Sequence, residues 1–155
     1  MTNPDIIIYT DGSSRGNPGP GGYGIVMQKQ GTNYIKEFSE GYRKTTNNRM
    51  ELLAVIVALE KLKKLKQKVH VYTDSKYVSE SVEKKWIINW EKKGFKNKKN
   101  PDLWVRFLKI FRKHDVRFFW VKGHNNNPTN ERCDKLAFNA SLKEKLLIDI
   151  EYESK

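Results

Sequence analysis

The chain has 155 residues, enough for one domain with a sizeable core and too few for two domains of ordinary size. Thirty basic residues against 18 acidic ones leave a net charge of +12, which points to a polyanionic partner: nucleic acid, or an anionic membrane surface. The longest unbroken apolar run, Leu52 to Leu59, falls far short of the ~20 residues that cross a bilayer, so spanning is excluded, and a lone cysteine, Cys133, excludes an internal disulfide.

"MTNPD" lacks a basic leader, so no secretory signal is expected and the cytosol is the expected compartment. Ile6 to Thr10 is short, β-branched and aromatic, and reads as a buried strand ending in "YTD" at Asp11. The stretch "GSSRGNPGPGG" reads as a loop, followed by two antiparallel strands, "YGIVMQKQ" and "NYIKEFSEGY", joined near Gly31. Thr46 to Asn48 offer caps for a helix that is apolar on nearly every side and ends among lysines. Val69 to Thr73 repeats the first pattern and again ends in "YTD", at Asp74, before a helix over Ser75 to about Lys84.

A basic, aromatic stretch, "KKWIINWEKKGFKNKKNP", precedes a helix from Asp102 to about His114 and a fifth strand, "VRFFWV". Asn127 and Pro128 open a last helix that runs through Asp134 to about Leu142. The order βββαβαα(α)βα predicts an α/β domain: a mixed sheet of three antiparallel strands and then parallel ones, flanked by helices, with function gathered at strand ends. The expected domain spans 1–147, with a basic protrusion at about 84–100, and the tail 148–155 is expected to be polar and loosely held.

Two identical strand exits, on neighbouring strands, would set two carboxylates side by side, where they repel unless protonated or bridged by a cation. Each aspartate could instead serve as a local cap, Asp74 for the helix that follows and Asp11 for its turn. Glu51 is the only charged residue from Met50 to Leu59 and must lie against or beside the core, unless it completes a capping box with Thr46 to Asn48. Asp134 sits among Arg132, Lys135 and apolar neighbours, as a surface ion pair or as a fourth member of the cluster. Oxygen donors without paired Cys or His favour Mg²⁺ or Mn²⁺ over Zn²⁺, and two such ions ~4 Å apart suit in-line phosphoryl displacement.

With "YTDGSSRGNPGPGGYG", "TTNNRMELLAVIVAL", "YTDSKYV" and "WVKGHNNNPTNERCDKLA" in this order, the chain closely resembles the type 1 ribonucleases H of bacterial kind, from first strand to last helix. The resemblance implies a five-stranded mixed sheet and metal-dependent hydrolysis of the RNA strand of RNA–DNA hybrids. It implies that Asp11, Glu51, Asp74 and Asp134 are catalytic metal ligands for two Mg²⁺ ions, with Mn²⁺ a possible substitute. In the family's pattern Glu51 also touches the ribose 2′-hydroxyl, and His124 moves protons or helps product leave. His70 and His114 match nothing in that pattern and are expected to be structural or solvated.

Substrate contacts follow from the same likeness. Asn17, Asn47 and Asn48 would bond in the minor groove, Thr46 would grip a phosphate of the DNA strand, and Gly12 and Ser13 would lie beside the backbone. Gly12, Gly16, Gly19, Gly21 and Gly22 are expected to admit turns and close approach of substrate. Seven lysines from Lys84 to Lys99, interleaved with Trp86, Trp90 and Phe95, read as a nucleic-acid surface, with Trp86, Lys96, Lys98 and Lys99 the expected contacts.

Lys76 departs from the glutamine common in the family, and Ser14 from a frequent cysteine; Lys76 is an expected substrate contact that can reach a phosphate but cannot offer an amide's acceptor to a base edge in the minor groove. The expected partner is hybrid duplex, with no membrane, bound by a monomer. Two rivals stand beside this reading. A noncatalytic nucleic-acid-binding protein would explain the charge but not four acids that repel the ligand. A related-fold DNA nuclease, such as a resolvase or transposase core, would explain the acids but not the glycine-rich stretch or "TTNNRME".

Overall fold

The computed structural model describes residues 3–123 and 126–154. Three antiparallel strands open the chain: β1 (Ile6–Ser14), β2 (Gly19–Lys29) and β3 (Ile35–Thr45). Next come α1 (Asn47–Glu60), β4 (Lys68–Thr73), α2 (Lys76–Glu83), α3 (Trp86–Lys92), α4 (Pro101–Phe111), β5 (Asp115–Trp120), α5 (Pro128–Ser141) and α6 (Ile150–Glu153). The sheet order is β3-β2-β1-β4-β5, with β4 and β5 parallel to β1, as the sequence predicts.

Helix α1 is apolar all round because it is buried all round, between β1 and β2 on one side and α4 on the other. Its Thr46 side chain accepts a hydrogen bond from the Arg49 amide, as a cap should, and the helix stops at Glu60, before the lysine-rich run. Helix α5 crosses the opposite sheet face over β1, β2 and β3. It lies so close that a β-carbon on Gly24 would stand 2.3 Å from the Cys133 carbonyl oxygen. Cys133 is buried packing, and the low dielectric around it pushes its thiol pKa up.

Four sequence expectations change. Strand β1 does not end at Asp11 but continues through Ser14, pairing with β2 from Asp11↔Gly24 to Ser14↔Gly21, so the glycine-rich stretch is mostly strand. Its glycines admit the chain's own neighbours: β-carbons at Gly12, Gly19 and Gly21 would meet the backbone of Met50, Arg15 and Ser13 within 2.6 Å. Second, Ser75, not Asp74, caps α2, accepting from the Val78 amide. Third, Phe95 packs into the core and Trp90 sets its edge against Trp104, which leaves Trp86 as the exposed ring of that stretch. Fourth, the tail is held: it follows directly on the Leu147–Tyr42 bridge, its Glu153 pairs with Arg43, and its Asp149 is buried.

Candidate active site

The two YTD triplets lie level, because β1 pairs with β4 in the register Ile8↔Val71 and Tyr9↔Tyr72. Asp11 follows on β1 and Asp74 just beyond the end of β4. Glu51 reaches the same point from the second turn of α1, too far along the helix to complete a capping box. One carboxylate oxygen from each of Asp11, Glu51 and Asp74 lies within 4.8 Å of the other two. Asp134 comes from α5, across the sheet, and sits within hydrogen-bonding reach of Asp11. Its neighbour Arg132 turns away to pair with Glu37.

Burial and like charge act together on this cluster. Burial, the Asp74 charge and the Asp134 carboxyl push the Asp11 pKa up to about 9. Burial, Asp11 and Asp74 also hold Glu51 well above the usual carboxylate range. Glu51 Oε1 and Asp74 Oδ1 are buried without a hydrogen-bond partner. Orphaned, converging carboxylate oxygens of this kind fit a hard divalent cation, which supplies the missing partner and reverses the repulsion. The residues present therefore suit a metal, with Asp11, Glu51 and Asp74 as the close set and Asp134 beside it.

The same open cleft is lined by Gly12, Ser13, Asn47, Asn48 and Lys76 of the expected substrate contacts. Ser75 and Tyr77 line it too and were not singled out from sequence; their place directly after Asp74, at the cap and first turn of α2, was the available signal. Asn17 and Thr46 lie in the adjoining cleft with Lys98 and Lys99. Asn17 Oδ1 accepts from the Asn47 amide, and Asn47 Oδ1 accepts from the Ser14 amide, so the turn after β1 is tied to the start of α1. Lys76 Nζ stands 4.7 Å from the Trp120 ring centroid, while Trp86 is 43% exposed with Lys84 over its ring. Lys96 is exposed on the same protrusion. His124 lies outside the described residues, and His114 is structural, accepting from the Gln67 amide.

A mixed five-stranded sheet that gathers one carboxylate from within β1, one from just past β4 and two from flanking helices defines a metal-dependent hydrolase of the nuclease type. The RNase H family model matches residues 3–142. The Ribonuclease H of Desulforamulus reducens is 54% identical over 151 residues, covering 94% of this chain and 93% of that protein. The Ribonuclease H of Trichodesmium erythraeum is 51% identical and covers 96% of each. Among solved structures, LC9-RNase H1, described as a type 1 RNase H with the type 2 active-site motif, aligns with a TM-score of 0.79 at 30% identity, over 99% of this chain and 81% of that one. LC11-RNase H1 in complex with an RNA/DNA hybrid aligns with a TM-score of 0.63 at 32% identity, over 87% and 95%. This chain belongs to the RNase H family.

Proposed function

We propose that this chain is an endonuclease that cuts the RNA strand of RNA–DNA hybrids, with Asp11, Glu51, Asp74 and Asp134 as metal ligands for two Mg²⁺ ions. The single observation that carries this reading is the convergence of three carboxylate oxygens within 4.8 Å, two of the groups holding buried, unpartnered oxygens. Family membership and a relative seen bound to RNA/DNA hybrid support the substrate. Mg²⁺ or Mn²⁺ bound there would neutralise the scissile phosphate and activate the attacking water.

The chain's own residues do the rest. Asp11 and Asp74, fixed by strand register, hold the charge at one point on a rigid sheet. Glu51 stands on the helix that also carries Asn47 and Asn48, so its position is tied to the minor-groove contacts, and it is placed to test the ribose 2′-hydroxyl. Asp134 arrives on a separate helix, and His124 is assigned to proton movement or product release. Gly12, Ser13, Asn17, Thr46, Asn47, Asn48 and Lys76 line the path of the hybrid, and Trp86, Lys96, Lys98 and Lys99 extend it along a protrusion at about 84–100.

One catalytic domain, 1–147, followed by a docked tail, would act as a monomer, since one chain supplies all four carboxylates. The lone buried Cys133 accords with a reducing, cytoplasmic setting, and no helix among the described residues is long and apolar enough to cross a membrane.

The test is cleavage of end-labelled RNA, hybridised to DNA with Mg²⁺ or with EDTA, paired with RNA, and alone, each beside Asp11→Asn. Cutting confined to hybrid, metal and intact Asp11 is expected. Hybrid binding without cutting under any divalent ion would favour the noncatalytic binder, and cutting of DNA duplex the related-fold DNA nuclease.

A further inference from the structure

The tail reaches the substrate face at Tyr152, whose ring centroid lies 5.8 Å from the Arg49 guanidinium, and through the hydrogen bonds of Asp149. Arg49, at the start of α1, is 2% exposed, and each of its five N–H groups donates to a different acceptor position. Nε donates to Asp149 Oδ2 at 2.7 Å and Nη2 to Asp149 Oδ1 at 2.9 Å. Nη2 and Nη1 also donate to the two Asp102 oxygens, at 2.7 and 3.0 Å, and Nη1 to Asn100 Oδ1 at 3.3 Å. Asp149 Oδ2 additionally accepts from the Thr45 hydroxyl at 2.8 Å.

These partners sit beside the expected hybrid contacts without being among them. Thr45 precedes the cap Thr46, Arg49 follows Asn48, and Asn100 follows Lys98 and Lys99. Asn100 holds a left-handed backbone, φ 62°, and passes the connection on by donating to the Tyr77 hydroxyl at 3.2 Å. Asn17, Thr46, Asn48, Lys98 and Lys99 line one cleft, with Arg49 and Asn100 in its wall. With every donor engaged, Arg49 has no N–H left for a phosphate; it can order this cleft but not supply its charge.

Resting on the hybrid-cleavage reading above, we propose that Asp149 is a positioning residue for substrate binding. Through Arg49 it locks the segments 45–48 and 98–100 at the spacing the hybrid needs, so the tail is part of the binding apparatus. Its loss loosens two surfaces that must grip the same duplex, while Asp11, held in the β1 ladder, and Asp74, directly after β4, stay in place.

The experiment is steady-state cleavage of a short hybrid with Mg²⁺, at a temperature where each variant is folded by circular dichroism. Asp149→Ala is expected to raise KM about tenfold with kcat within about twofold, and Thr45→Val to raise KM in the same direction by less. Arg43→Ala, which breaks only the exposed tail pair to Glu153, should leave both constants unchanged. Wild-type KM in folded Asp149→Ala and Thr45→Val, or a fall confined to kcat, overturns the inference. If Asp149→Ala does not fold, Thr45→Val decides by the same criterion. A wild-type chain that cuts no hybrid sinks the hybrid-cleavage reading itself and takes this inference with it.

Discussion

Tyr9 lies across the parallel β1–β4 ladder from Tyr72, and their rings stack with centroids 4.8 Å apart at 13°. Two residues further on, the chain presents Asp11 on one strand and Asp74 beyond the other. A parallel pair slipped by one residue would turn one of these side chains to the opposite face, so the register is what makes the repeated triplet a site.

Asp74→Asn is expected to leave hybrid binding within a few-fold of wild type and to lower kcat by about 10³-fold or more, since a metal supplies several kcal/mol to the transition state. Binding is read by electrophoretic shift in Ca²⁺ or EDTA, and cutting by end-labelled RNA. Retained activity would remove Asp74 from the metal set.

Gly12→Ala should be costly although it adds one methyl group. The new carbon would stand 2.3 Å from the Met50 carbonyl carbon and 2.4 Å from the Glu51 amide nitrogen, both backbone atoms. Helix α1 must shift, carrying Glu51 away from Asp11. A loss of about 1–3 kcal/mol in chemical denaturation is expected, with a larger fall in kcat than in affinity.

Because Asp11 titrates near 9 in the fold, well above an unfolded aspartate, the metal-free native state holds a proton that the unfolded chain has lost. This contribution to stability is full below about pH 4 and is lost as pH rises towards 9. In EDTA the melting temperature should therefore fall over that range, against the usual trend. Asp11→Asn should flatten the decline and raise the metal-free Tm at pH 8 by about 3 °C or more. Mg²⁺ should stabilise the wild type there, and the variant far less. A melting temperature that does not decline with pH in EDTA would contradict the strained cluster.

Replacing Lys96, Lys98 and Lys99 by alanine should weaken hybrid binding and lower the slope of log K against log salt by up to about 3, roughly one per phosphate contact. Titrations between 50 and 200 mM salt read this directly. An unchanged slope would make the protrusion an ordinary solvated face.

The two YTD strands, the Thr46 cap of α1 and the Asn127 cap of α5 were all readable from sequence. Each is written in a few adjacent residues: a β-branched run, a hydroxyl or amide three residues ahead of an amide, a proline at a first turn. The four acids were readable as candidates for the same reason. Less legible were the features set by distant pairing. Strand β1 runs on through Gly12 because β2 returns beside it, and Phe95, inside a lysine-rich stretch, is buried because it joins the core cluster that holds Ile87, Trp104 and Phe107.

The tail misled most, since "IDIEYESK" carries no local sign that Asp149 will meet a guanidinium a hundred residues earlier. By itself, then, the sequence determined which strands, caps and carboxylates exist, because hydrogen bonding and periodicity act over a turn or a strand. Only the tertiary structure decided that Asp134 would stand beside Asp11 and that Asp149 would brace α1. Those contacts come from α5 crossing the sheet and from the chain end folding back, and both depend on shapes that no short window contains.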